Sequence, residues 1–483
     1  ERRGARELAN QPRAQAELLG VIARLRLGLG DYHESLALLE KQARVLATAN
    51  DAPDSLRLQA ATQHGRVLRL LGRSRQCVQV MAPMEARLAS LDSRLPLPVA
   101  EFRSQNGRCR ADAGEKQVAR QMFDGSLEIR RSLKDEAGVA ENMRDLAQLD
   151  VELGNADAGA RGYRAALAHL QAHGHARHTL AIEIQRSLAL LYRNRGDTDA
   201  ALASFQHARE LSEDIHGARH PLTQALRRHI AAVQVDLGRL READEELRRL
   251  HAMTLESLGP QHRDTASSWN SMGIIAWERG DNDTAVRNVA RAVAIWRSNE
   301  SLQILPGGLF NYGMVLHNAG RHDEALAALE ESRQMRVTTI GASHALIGET
   351  DRMIGEVLAA KGDLRSASER FDRAVRLTRV GFGPEHPRTW FAELSMARHQ
   401  TRLGRPQDAI APLEGLTRHE GGGSEAPKLR WLARAYLAEA RCGMGEKERA
   451  RRELDALAGE LRSALPDGGI IPREVADLRA ACR

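Results

Sequence analysis

A glycine recurs along this chain at Gly30, Gly72, Gly114, Gly154, Gly196, Gly238, Gly280, Gly320, Gly362, Gly404 and Gly445, each 40 to 42 residues after the last. Most stand in one short phrase, as in Leu29-Gly30-Asp31, Arg195-Gly196-Asp197 and Lys361-Gly362-Asp363. Glycine accepts the left-handed backbone that ends an α-helix, and a polar residue after it helps to start the next. Eleven such turns predict eleven helical hairpins, hence an all-α chain built by repetition.

The columns around each turn support that prediction. Seven residues before the glycine stand Ala23, Gly65, Gly107, Ala147, Ala189, Ala231, Gly273, Gly313, Gly355, Ala397 and Ala438. Five residues after it stand Ser35, Cys77, Ala119, Gly159, Ala201, Ala243, Ala285, Ala325, Ala367, Ala409 and Ala450. Two helices approach closely only where their crossing side chains are small, so both columns mark the contact within a hairpin. Nine residues after the glycine the column turns large and apolar: Leu39, Met81, Phe123, Tyr163, Phe205, Leu247, Val289, Leu329, Phe371, Leu413 and Leu454. Repeating in register, it reads as core and not as a cofactor box.

Composition narrows the function classes. No run approaches 18 apolar residues, so nothing in the sequence reads as a membrane span. The chain opens at Glu1 with no signal-like apolar stretch, which points to a natural start upstream. Only six of the 70 basic residues are lysine, and arginine forks favour carboxylate or phosphate partners. The net charge of +6 is small, basic blocks are absent and acidic residues are interleaved, so nucleic-acid binding is not expected.

This small–Gly–small–large pattern resembles the tetratricopeptide repeat. A period near 42 is similar to the longer variant of kinesin light chains and bacterial relatives, which carry a Leu-Gly-x-x-His-Pro phrase between repeats. Here the phrases are Gly217-Ala218-Arg219-His220-Pro221, Leu258-Gly259-Pro260-Gln261-His262 and Phe382-Gly383-Pro384-Glu385-His386-Pro387, with a worn copy at Gly341-Ala342-Ser343-His344. The resemblance implies a right-handed superhelical solenoid of about eleven hairpins over residues 11–460. Residues 1–10 read as the end of a preceding helix, with Asn10 and Pro12 starting the first hairpin. Gly421-Gly422-Gly423-Ser424 reads as a flexible break. Residues 466–483 read as a C-terminal cap, with Pro472 opening a short helix to Ala481.

Catalytic motifs are missing: no phosphate loop, metalloprotease helix, nucleophile elbow or Cys-x-x-Cys occurs. His262-Arg263-Asp264 spells a kinase catalytic-loop triplet, but Trp269 stands where the metal-binding Asn belongs, with Asn270 one place too late. The sequence therefore predicts no enzyme activity, cofactor or metal for this chain. The weak exception is His169, His173, His175 and His178. The first two, four apart on a helix, can face one ion, but no carboxylate or thiol is near in sequence. The competing reading is a polar loop in which His178 replaces the loop histidine. Cys77 and Cys109, and Cys442 and Cys482, are 32 and 40 residues apart, placing each pair in adjacent hairpins. Both pairs are disulfide candidates in an oxidising compartment; the alternative is small buried residues, since Cys77 stands in a column that is mostly alanine.

In the repeat family the first helix of each hairpin lines a concave groove. The corresponding positions here are Arg24, Arg66, Arg69, Arg108, Arg144, Arg186, Arg193 and Arg228, then Asn270, Ile274, Trp277, Phe310, Met314 and His317, then Arg352, Arg398 and Arg402. An arginine ladder beside an aromatic patch suits a protein or peptide ligand with acidic character, although some arginines face Glu141, Glu183 or Glu349 as rivals for that role. The run from Glu1 to Leu19, followed by Leu29-Gly30-Asp31-Tyr32, resembles the region after the membrane span in certain proteobacterial serine/threonine kinases. That resemblance implies a sensor array on the periplasmic side of the inner membrane, with kinase and span outside this chain, and self-association as one signalling route. The alternative is a soluble cytoplasmic scaffold.

Overall fold

The computed structural model describes residues 11–28, 31–299, 301, 304–419 and 423–482. Residues 1–10, the first turn glycine Gly30, and Gly421 with Gly422 lie outside them. Among the described residues the regular structure is helical, with no strand. Helices alternate as hairpins: Pro12–Gly28 with Tyr32–Thr48, Asp54–Leu70 with Ser74–Glu85, Pro96–Asp112 with Lys116–Ser132, Glu136–Glu152 with Ala156–Ala172, and Thr179–Asn194 with Thr198–His216. The series continues as Pro221–Asp236 with Leu240–Leu258, Arg263–Glu278 with Asn282–Ser298, Leu305–Asn318 with His322–Ile340, Ala345–Ala360 with Leu364–Phe382, Pro387–Arg402 with Pro406–Thr417, and Ala426–Gly443 with Lys447–Ala464. These are repeats 1 to 11. The C-terminal helix runs Ile470–Ala481, beginning two residues before Pro472. Contacts divide the chain into two compact units, to Leu188 and from Ala189, within the first helix of repeat 5.

Each described turn has the same chemistry. The ten glycines from Gly72 to Gly445 hold φ between 71° and 91°. The N–H of the next residue reaches back to the carbonyl five residues earlier, as in Asp281 to Ala276 and Asp363 to Leu358. This is the Schellman closure that glycine permits. The residue after the glycine caps the next helix through its side chain where it is Asp197, Asp281 or Asp363. Where it is Arg73, Arg239 or Arg321 there is no such cap.

The columns interlock within hairpins. All eleven large residues are at most 3% exposed. A Cβ added at Gly107 would lie 2.6 Å from a ring carbon of Phe123, and one at Gly355 would lie 2.8 Å from Phe371. Thus the missing side chain before the turn is the space taken by the ring after it. In repeat 2 the second helix contains Pro83 and stops at Glu85, with a single further turn at Leu88–Leu91. Proline removes one helical hydrogen bond and crowds the preceding turn, which accounts for the early end.

Candidate functional site

In the first unit, the first helices of repeats 2 to 5 line two recesses of about 690 and 300 Å3. Arg66, Arg69, Arg108, Arg144 and Arg186 all lie there. Their electrostatics differ from the expected ladder. Six arginines, counting Arg130, face seven carboxylates among the lining residues: Glu101, Asp112, Asp135, Glu141, Asp145, Glu152 and Glu183. Arg108 binds Asp145 at 2.6 Å and Glu141 at 2.7 Å; Arg144 binds Asp145 at 2.7 Å and Glu183 at 2.8 Å. Burial alone would raise the Glu141 carboxyl, but Arg108 and Arg130 outweigh it and hold it down to about 2. Arg69 sits 3.5 Å from Asp112. Charges so matched are not a uniform grip for an acidic ligand.

Some groups stay uncommitted. Arg24, Arg66 and Arg186 form no ion pair among the described residues, and the Arg186 Nε is buried without a hydrogen-bond partner. Glu101 has its carboxyl raised by burial, with Arg130 only partly offsetting this. The groove therefore offers both an unmatched cation and an unmatched acid.

The second unit places Ile274, Trp277, Phe310 and Met314 half-buried on the first helices of repeats 7 and 8, with Trp277, Phe310 and Met314 against the core of repeats 7 to 9. Arg336 stacks 5.2 Å from the Phe310 ring, and Asn270 accepts from Asn311 at 3.1 Å. Arg193 pairs with Asp236 at 2.7 Å and Arg402 with Glu356 at 3.1 Å. Arg228 has its cation disfavoured by burial, with Asp264 partly offsetting, and Arg352 reaches Ser395 at 3.5 Å. Glu349 is taken by Arg388 at 3.0 Å.

Arg398 is the clearest correction. Its guanidinium lies 4.0 Å from the Tyr436 ring centroid and binds Glu439 at 3.0 Å and Glu474 of the C-terminal helix at 2.7 Å. That helix does more than cap repeat 11. Arg473 donates at 2.8 Å to the carbonyls of Arg279 and Gly280, while Asp467 takes Arg241 at 2.6 Å. The C-terminal segment is thus tied to the turns of repeats 6 and 7, and no sequence pattern announced it. A third recess, about 790 Å3, is the seam between this segment and the second helix of repeat 11, where Arg479 pairs with Asp455 at 2.5 Å.

His317 lies beside His322, with ring centroids 5.2 Å apart. Burial, then His322, Arg402 and Arg352, lower its pKa to about 4, with Glu356 opposing. An unfolded histidine takes up its proton below about 6.5. The neutral-state contribution is therefore whole above pH 6.5 and is lost as pH falls through 4, about 3 kcal/mol in all. Chemical denaturation at pH 7.5 and 4 should show a smaller loss of stability in His317→Asn than in the parent chain. Equal losses would remove His317 as the cause.

The loop histidines have one shared task. His178, His220, His262, His344 and His386 each accept, through Nδ1, the N–H two residues on, at 3.1 to 3.2 Å. They are helix N-caps. The kinase-like triplet is accordingly a capped helix start, and His178 does replace the loop histidine. His169 and His173 stand apart from it, with rings 4.3 Å from one another and Glu136 between them; His175 lies instead 6.3 Å from the His178 ring. The structure bonds Cys77 to Cys109 and Cys442 to Cys482, with Cα separations of 5.8 and 5.9 Å.

The family model for the tetratricopeptide repeat matches residues 180–256, 222–298 and 308–379. These are tetratricopeptide repeats. Protein KINESIN LIGHT CHAIN-RELATED 2 of Arabidopsis thaliana is 21% identical over 89% of this chain and 67% of its own length. Tetratricopeptide repeat protein 23 of Bos taurus is 22% identical over 44% of this chain, which spans about half (49%) of that relative. Among solved structures, BtubC (BKLC) from P. vanneervenii is 22% identical with a TM-score of 0.41, covering 47% of this chain and 92% of its own. The apo form of RapI has a TM-score of 0.53 at 12% identity, covering 80% of this chain and 98% of its own, a likeness of fold. Tetratricopeptide arrays are protein-interaction modules, and the matched residues 180–298 and 308–379 carry that repeat.

Proposed function

We propose that this chain binds an extended protein or peptide segment along the groove of repeats 2 to 5, as the sensor portion of a membrane-anchored serine/threonine kinase. The observation that carries the binding reading is the pair of unmatched groups in that groove, the buried Arg186 Nε and the raised Glu101 carboxyl. A segment with an acidic and a basic side chain satisfies both, whereas a purely acidic one meets Glu101, Glu141 and Glu183. Binding relays to the kinase by favouring one arrangement of the repeats or a self-associated state over another.

Attachment to a kinase rests on the resemblance of residues 1–32, and placement on the periplasmic side of the inner membrane is supported by two disulfides, which persist in oxidising compartments. Among the described residues no helix is long and apolar enough to cross a membrane, so on this proposal the span lies outside the chain. Reading the coding sequence upstream of Glu1 tests the attachment. A kinase domain followed by about 20 apolar residues is the expected result. A start codon within a few dozen residues overturns it and leaves an unattached scaffold.

A further inference from the structure

Repeat 4 gathers metal-binding chemistry away from the groove contacts just described. Its second helix ends with His169 in the last turn and His173 as the C-cap. The His173 ring Nδ1 lies 2.9 Å from the backbone carbonyl oxygen of His169. A carbonyl can only accept, so Nδ1 carries the hydrogen and the lone pair of the neutral ring is on Nε2. That nitrogen faces Glu136, the first residue of the first helix of the same repeat, at 3.7 Å. The His169 Nε2 lies 2.9 Å from the same carboxylate oxygen. It is buried, yet makes no properly directed hydrogen bond. A close nitrogen–oxygen contact without hydrogen-bond alignment is what two ligands of one ion show.

The geometry points to a transition-metal site formed by Glu136, His169 and His173. The three ligand atoms all lie within 4.8 Å of one another. An ion with bonds of about 2.0–2.2 Å in tetrahedral array holds its ligands roughly 3.3 Å apart, close to the 2.9 and 3.7 Å observed. Two imidazoles with one carboxylate suit Zn2+ and its neighbours, whereas Mg2+ and Ca2+ require oxygen-rich shells. A protein set of three leaves one position for water or a partner's ligand. The burial agrees: His169 is 20% exposed and Glu136 27%, while His173 is 41% exposed and opens the site to solvent. Glu136 follows Asp135, whose carboxylate caps the same helix at Gly138 and lines the groove. The ion would join the last turn of one helix to the first turn of the other at the groove rim.

The test uses the untagged full chain, stripped with EDTA, desalted and titrated with ZnCl2 in a calorimeter at pH 7.5. One equivalent should bind with a micromolar or tighter Kd. His169→Ala and His173→Ala should each weaken it at least about tenfold, and Glu136→Gln by about tenfold. His175→Ala and His178→Ala should leave it unchanged, although the latter loses a helix cap. Circular dichroism of each metal-free variant checks the fold; the partly exposed Glu136→Gln variant stays informative if a histidine variant fails to fold. Co2+ in place of zinc should give the intense visible absorption of a four-coordinate ion. No saturable binding below about 1 mM, or binding that survives the double histidine substitution, overturns the site and leaves Glu136 as an ion-pair partner of the histidines. Preference for Mg2+ over Zn2+ also overturns it.

Discussion

Asp351→Asn is expected to destabilise repeats 8 and 9 by about 3–5 kcal/mol. Asp351 is fully buried and holds three guanidiniums: Arg333 at 2.8 Å, Arg370 at 2.7 Å and Arg373 at 3.1 Å. Asn keeps the shape of the side chain and removes its charge. Among the described residues the ion pair then left to the three is that of Arg370 with Glu330 at 2.6 Å. An uncompensated buried cation costs more than the ion pair contributed, so the loss exceeds that of an exposed salt bridge. Because a repeat array opens regionally, amide exchange over residues 322–382 is the suitable readout alongside denaturation. A loss under about 1 kcal/mol would show that water reaches these arginines.

Removing the Cys77–Cys109 bridge by replacing both cysteines with alanine should cost about 3–4 kcal/mol by the loop-closure entropy of a 32-residue ring. The bridge joins the second helix of repeat 2 to the first helix of repeat 3. The former ends early around Pro83, so the covalent link reinforces a shortened helix. Non-reducing peptide mapping establishes the bond, and denaturation of the double variant measures its worth. An unchanged midpoint would mean that packing of the two small buried side chains suffices.

The stack was legible because each of its constraints recurs. A left-handed turn admits little but glycine, and a close helix crossing admits little but glycine or alanine, so eleven copies of each column stand out of the background. The groove positions followed from the same register. Their charge state did not, because reading the first-helix face alone omits what the neighbouring repeat supplies. The signal was present: Arg69–Asp112, Arg193–Asp236 and Arg398–Glu439 are 43, 43 and 41 residues apart, about one period. An arginine followed one repeat later by a carboxylate is an internal clasp and not a ligand grip. Glu136 and His169 were similarly readable, since they lie 18 and 15 residues on either side of the turn at Gly154 and so meet at the open end of the hairpin. By contrast, Asp467 meets Arg241 across 226 residues, a contact fixed by how several repeats accumulate rather than by any local pattern.

The most direct test of groove binding is the affinity of peptides selected on the untagged chain from a random display library, measured again with Arg186→Glu and with Arg161→Glu. Arg161 is exposed on the second helix of repeat 4 and lines neither groove recess. At least a tenfold loss is expected with Arg186→Glu, recovery when the acidic residue of the peptide is changed to lysine, and no effect of Arg161→Glu. Peptides indifferent to Arg186→Glu but weakened by Arg161→Glu would place binding on the outer face and contradict it.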